Sequence, residues 1–177
     1  MLAPDGIVAD QLARTLVAAH YATDGRHLMA GGLAVETLAD RFGTPLFVYD
    51  AAVMRRSYNA LRTALDGFAD VVFSIKANPN PAVARLFVEL GAGIEIASLG
   101  EYDRARQAGA APQDILFAGP AKSDAELERV IRDGIGEIHL ESFEEIARTD
   151  AIAALAGRRV AVCIRINPVA AAQGGAM

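Results

Sequence analysis

"DVVFSIKANPNPAVARLFVELGAG", residues 70–93, passes from a hydrophobic strand pattern into a helical one, with a single lysine, Lys76, at the hinge. Asn80 followed by Pro81 is the pairing expected of a helix N-cap and the first helical position. Gly91 supplies the stop. The unit is therefore strand, polar turn, amphipathic helix, glycine.

Working outward, the same unit recurs from residue 45 onward. Six strands are predicted: "PLFVYD" (45–50), "VVFSIKA" (71–77), "GIEIAS" (93–98), "DILFAG" (114–119), "EIHLES" (137–142) and "RVAVCIRIN" (159–167). Most read as apolar on both faces and rich in Val and Ile, as buried parallel strands do. Ser98–Glu101, Ser123–Glu126 and Ser142–Glu145 are S-x-x-E capping boxes just after strands. Asp50 is placed to cap the helix that begins after it. Gly67, Gly109, Gly134 and Gly157 mark further helix ends.

Strands alternating with helices demand parallel pairing through crossovers, in an open doubly wound sheet or a barrel. A closed (β/α)8 barrel needs eight strands and roughly 250 residues. Six strands followed by "NPVAAAQGGAM" therefore predict an α/β TIM barrel that is incomplete here, spanning 45–177. Residues 1–44 differ: "DGIVADQLARTLVAAHY" predicts a helix with Ile7, Leu12, Leu16 and Val17 as its stripe. "RHLMA", between Asp24-Gly25 and Gly31-Gly32, predicts a hairpin-like strand, and "LAVETLADRFG" a short helix. The segment is expected to be part of, or to pack on, a second β domain.

Composition bounds the function. The 177 residues are 53% hydrophobic and 22% charged with a net charge of −5, a globular balance that offers nucleic acid or an anionic membrane no electrostatic attraction. No apolar run approaches the roughly 18 residues that span a bilayer. "MLAPDGIVADQLART" lacks the basic head of a secretory signal, so a cytoplasmic address is expected. The one cysteine, Cys163, cannot form an internal disulfide and reads as a buried inert thiol. No Cys/His cluster has metal-ligand spacing, so no metal is predicted.

In either fold the active site lies at the carboxyl ends of the strands. Lys76 is at such an end. The apolar run before it suggests a desolvated stem, and burial disfavours the ammonium form. An amine freed in this way attacks carbonyl carbon.

"FSIKANPN" followed by "LGAGIEIASLGE" resembles the signature of the fold-type III pyridoxal phosphate (PLP) decarboxylases, which include diaminopimelate, ornithine and arginine decarboxylases. Their pattern is Y-A-V-K-A-N at a strand end, then G-x-D-x-A-S-x-x-E. Here Ser74 and Ile75 replace Ala-Val, and Glu95 stands where most members have Asp. "FGTPLFVYD" (42–50), "ILFAGPAKSDAEL" (115–127) and "RINP" (165–168) extend the likeness. The resemblance implies a barrel of the alanine racemase-like type and a homodimer. It implies PLP joined to Lys76 as a Schiff base, with Glu95 near the cofactor ring and Arg165 approaching the pyridine face. Asn78 then orders the turn behind Lys76, beside the cofactor. The reaction implied is loss of the α-carboxylate of an amino acid as CO2.

A ring-stacking histidine, a Gly-rich phosphate loop and an acid for the pyridine nitrogen are expected beyond residue 177, so these residues alone should have little activity. Structural readings stand beside these roles. Glu95 also reads as a satisfied strand-end acid, Arg165 as an ion-pair partner, Ser98 and Glu101 as a cap, and His139 as a core or lumen residue. Alanine racemase shares the fold and the lysine, but a Tyr-Gly-rich turn usually follows its lysine, where this chain has Asn-Pro-Asn-Pro. A non-catalytic homologue is a further alternative. A Rossmann nucleotide site is excluded because Gly91-Ala92-Gly93 joins a helix to a strand rather than the reverse. "AAAQGGAM" (170–177) replaces the His and Thr-Gly elements usual in diaminopimelate enzymes, which suggests an aminoacyl group tethered to a carrier protein as the other substrate class.

Overall fold

A computed structural model describes residues 5–65 and 67–166. The chain divides after Gly67 into two compact units. The sequence-based division falls earlier, between residues 44 and 45.

The first unit opens with α1 (Asp5–His20), whose described apolar residues Leu12, Leu16 and Val17 are exposed. A three-stranded antiparallel meander follows: β1 (Ala22–Thr23), β2 (Leu28–Ala30) and β3 (Leu33–Ala34). Its first turn is held by Asp24, whose carboxylate accepts from the backbone N–H groups of Arg26 and His27 at 2.9 and 2.7 Å. Those bonds, from His27 first, hold the Asp24 carboxyl below its usual range. α2 (Val35–Phe42) ends at Gly43, and α3 (Ala51–Ala64) is capped by Asp50. Asp50 accepts from Ala52 and Val53 and also from Gly31 N–H at 2.7 Å, tying the meander to the helix.

The expected strand at 45–50 is not formed. Extended backbone becomes a strand only with a hydrogen-bonded neighbour. Among the described residues this segment has no ladder partner, and Phe47 is 86% exposed.

The second unit is a five-stranded parallel sheet in sequential order: β4 (Val72–Ser74), β5 (Gly93–Ile96), β6 (Ile115–Phe117), β7 (Glu137–Leu140) and β8 (Ala161–Ile164). Between the strands run α4 (Pro81–Glu89), α5 (Leu99–Gln107), α6 (Asp124–Asp133) and α7 (Phe143–Leu155). This is an arc of a (β/α) barrel.

The strands are not apolar on both faces, contrary to their composition. In β5 and β7 burial alternates: Ile94, Ile96, Ile138 and Leu140 are buried, while Glu95, Glu137 and His139 are half-buried. The buried set packs against Ala84, Tyr102, Ala105, Leu127, Val130 and Ile131 of the helices. Each fully buried aliphatic side chain contributes about 1.5–3 kcal/mol relative to exposure, so this one face carries most of the unit's stability. The opposite face carries the polar residues Ser74, Glu95, Glu137 and His139 among smaller or apolar ones such as Gly93 and Leu116.

Of the three capping boxes only Ser123–Glu126 closes reciprocally. Ser98 and Ser142 do cap Glu101 and Glu145 N–H. Their glutamates, however, reach one residue further back, to Ala97 N–H at 2.6 Å and Glu141 N–H at 2.9 Å. The last residue of each strand exit is thereby clamped to the first turn of the next helix.

Candidate active site

β4 ends at Ser74, earlier than expected, and Ile75–Ala77 form a 3-10 turn. Ile75, not the lysine stem, takes the buried position; it has no exposed surface. The Lys76 side chain is 65% exposed, correcting the expectation of a desolvated amine. The turn swings it toward the polar face of the sheet.

There its Nζ meets Glu95 Oε1 at 3.0 Å. The same oxygen accepts from Ser74 Oγ at 3.0 Å. Ser74 and Glu95 are ladder partners on adjacent strands, which accounts for the meeting. Burial alone raises the Glu95 carboxyl, but the hydrogen bonds from Lys76 and Ser74 outweigh it and hold the group below the ordinary glutamate range.

The turn behind Lys76 is fixed locally. Asn78 Oδ1 accepts from Asn80 N–H at 3.0 Å, and Asn80 Oδ1 from Ala82 N–H at 2.9 Å, starting α4. Arg104 donates to Pro79 O at 3.1 Å. Asn78 thus orders the turn.

A recess of about 340 Å³ opens at these strand ends, lined by Lys76, Glu95, Ala118, His139, Glu141, Cys163 and Arg165. Arg165 follows β8; its Nη1 lies 3.3 Å from Glu141 Oε1, and its N–H donates to Leu140 O. Asn167 and Pro168 of "RINP" lie outside the described residues. His139 Nε2 is 2.7 Å from Glu137 Oε1 on the polar face, a lumen histidine. Cys163 is exposed rather than buried, because β8 is the edge strand and its residues are not covered on either face. A larger hollow of about 550 Å³ lies at the opposite ends of the strands; it is built from helix-to-strand turns such as Gly91–Gly93 and Gly109–Ala111 and holds no amine.

One residue of the site has no sequence signal. Lys122, in the loop after β6, is 2% exposed; its Nζ donates to His139 O at 2.5 Å and to Glu145 Oε1 at 3.2 Å. It pins β7 where His139 enters the recess. Only its place in "GPAKSDAEL" after a strand could have drawn attention to it.

The donor set fits the aldehyde and polar ring of a small cofactor. A primary amine faces an open recess, with a carboxylate on the neighbouring strand β5 and a guanidinium just past the end of β8. The recess falls within the 300–1,000 Å³ usual for ligand sites.

Comparison with known proteins agrees with this chemistry. The family described as pyridoxal-dependent decarboxylase, pyridoxal binding domain, matches residues 51–177. The chain is 38% identical over 147 residues to diaminopimelate decarboxylase of Pseudomonas aeruginosa, covering 82% of the chain and 35% of that protein. It is 38% identical over 134 residues to L-glutamyl-[BtrI acyl-carrier protein] decarboxylase of Niallia circulans, covering 76% and 31%. Diaminopimelate decarboxylase of M. jannaschii in complex with L-lysine superposes with a TM-score of 0.79 at 28% identity, covering 84% and 36%. The chain thus spans about a third of the length of these relatives. Among the described residues no helix is long and apolar enough to cross a membrane.

Proposed function

Because this chain belongs to the pyridoxal-dependent decarboxylase family, we propose that the protein releases CO2 from an amino acid with PLP held on Lys76. The observation that carries the reading is the Lys76 amine, 3.0 Å from Glu95 at the carboxyl ends of neighbouring parallel strands. Bound there, the cofactor supplies an aldehyde carbon that condenses with amines and a ring that takes up the electron pair left by the departing carboxylate.

The chain's residues do the rest. Glu95 Oε1, kept ionised, holds the Lys76 ammonium at the recess, and the proton that Lys76 Nζ must shed before it attacks goes to solvent. Ser74 keeps that oxygen aimed at the amine. With a substrate amino acid bound there, Glu95 would hold the Lys76 ammonium beside the recess, from where it could return a proton to the substrate Cα. Arg165, braced by Glu141, would approach the pyridine face, and Asn78 keeps the lysine turn from shifting.

In this reading residues 45–177 belong to the PLP-binding barrel, residues 1–44 pack on a β domain, and the enzyme is a cytoplasmic homodimer. Two substrate classes are favoured by relatives: a free diaminopimelate- or ornithine-like amino acid, and an aminoacyl group on a carrier protein. The test is borohydride reduction after incubation with PLP, followed by peptide mapping, with CO2 release measured on both substrate classes. The expected label is on Lys76, and Lys76→Ala abolishes both label and CO2. A label elsewhere, or turnover that survives the substitution, overturns the reading.

A further inference from the structure

β7 and β8 bring together three metal-ligating groups of different chemistry. Glu137 and His139 are two residues apart on one strand and so face the same side of the sheet. Cys163 is the direct ladder partner of His139 on β8. One carboxylate oxygen, one imidazole nitrogen and the thiol sulfur all lie within 4.8 Å of one another. His139 and Cys163 also line the recess of Lys76. The sequence gives no spacing signal for this, because the contact is made across a ladder and not along a motif.

We propose that Glu137, His139 and Cys163 form a binding site for a thiophilic divalent cation of the zinc class, with the fourth coordination position open to the recess.

The donor set argues for that class. Thiolate and imidazole select zinc over magnesium or calcium, which take oxygen shells. Three protein ligands with one open position is a common zinc arrangement, with bonds of about 2.0–2.3 Å. Donors in such a tetrahedron stand roughly 3.3–3.8 Å apart. The present groups bracket that spacing, from the 2.7 Å Glu137–His139 contact to the 4.8 Å limit of the cluster.

Charge is compatible as well. The two cations lining the recess each sit against a carboxylate, Lys76 on Glu95 and Arg165 on Glu141. Glu137 is then available to the metal, and the Cys163 thiol releases one proton to the solvent as its sulfur binds. The inference does not rest on the decarboxylase reading, since none of the three groups is assigned a part in that chemistry.

The experiment uses tag-free, full-length protein reduced and freed of metal. Zinc is titrated against a chromophoric chelator, and X-ray absorption at the zinc edge reads the ligand shell. One equivalent is expected, with one sulfur in the shell at about 2.3 Å. Cys163→Ser and His139→Asn are each expected to weaken binding at least roughly 100-fold, beyond the 10–100-fold typical of second-shell losses. Zinc, but not magnesium, should also protect Cys163 from alkylation. A sulfur-free shell, absence of stoichiometric binding, or undiminished affinity in folded Cys163→Ser overturns the proposal. Should either variant fail to fold, the wild-type shell and the alkylation protection decide. Borohydride labelling of Lys76 is scored separately, so failure of one reading leaves the other measurable.

Discussion

Lys122→Met removes the one fully buried cation among the described residues. In the native protein its ammonium serves two acceptors, His139 O and Glu145 Oε1, with both side chains almost fully enclosed. The variant leaves the Glu145 carboxylate buried with only the Glu141 N–H still donating to it among the bonds described above. Breaking a buried pair from one side costs about 3–5 kcal/mol. The loss should therefore be about 3–4 kcal/mol. Neutralising the second partner should repair most of the loss. Glu145→Gln in the same chain keeps an oxygen for the Glu141 N–H and leaves only the hydrogen bond to His139 O unreplaced, about 0.5–1.5 kcal/mol. The protein has no tryptophan, so the assay is urea unfolding followed by far-UV circular dichroism. A single-variant loss below about 1 kcal/mol, or a double variant as weak as the sum of two singles, refutes the argument.

Three further outcomes follow from the same coordinates. A Cβ on Gly136 would sit 2.1 Å from Gln113 O, and one on Gly119 would sit 2.5 Å from Ala97 O; either alanine forces backbone apart and should lower stability by roughly 3 kcal/mol or more. Gly100→Ala, in the first turn of α5 with nothing nearer than 3.9 Å, should instead raise it by about 0.5–1 kcal/mol; urea midpoints separate the two cases. Burial first, then the bond to Asp133, pushes the Tyr102 hydroxyl up to about 12 from 10.0, so its contribution is whole below pH 10 and is lost as pH rises from 10 through 12. Tyr102→Phe should flatten that alkaline limb of the stability curve. The depressed Glu95 carboxyl contributes stability above the ordinary glutamate range and loses it as pH falls through its folded value. Ser74→Ala should move its carboxyl ¹³C titration upward, and an unchanged titration would show that Ser74 does not orient it.

What was legible in the sequence was whatever depends on neighbours along the chain. Asn80-Pro81, Asp50 and Ser123–Glu126 each start a helix as their chemistry dictates, because a cap needs only residues within one turn. The strand-end position of Lys76 followed from the same local logic. Pairing is not local, and there the reading failed. "PLFVYD" has strand composition, but no ladder forms on it among the described residues. Cys163 was read as buried from its apolar neighbours, yet burial depends on what covers β8. Lys122 looked like any loop lysine, because its partners are a carbonyl on β7 and a carboxylate on α7. Glu101 and Glu145 fit the capping-box spacing but bond one residue beyond it, a geometry that the pattern cannot separate from the closed box.

The polar face of the sheet is itself an argument about function. The inward positions of a (β/α) barrel are usually filled by Val, Ile and Leu, packed in layers. Here the corresponding face presents Ser74, Glu95, Glu137, His139 and Cys163, while the helix-facing side carries Ile94, Ile96, Ile115 and Ile138. Apolar residues at those five positions would give the better core, since buried polar groups cost free energy unless paired. Pairing is what the structure supplies: Ser74 and Lys76 on one Glu95 oxygen, and His139 on Glu137. A lone surface lysine needs none of this arrangement. A lysine that must hold, release and recover a proton beside a reacting carbon needs a fixed acceptor at contact distance, and a fixed acceptor in turn needs its own donor. Replacing Ser74 and Glu95 with aliphatic residues should therefore remove PLP capture at Lys76. A repacked chain that still reduced onto PLP at Lys76 would mean that the carboxylate–hydroxyl pair has no part in the chemistry.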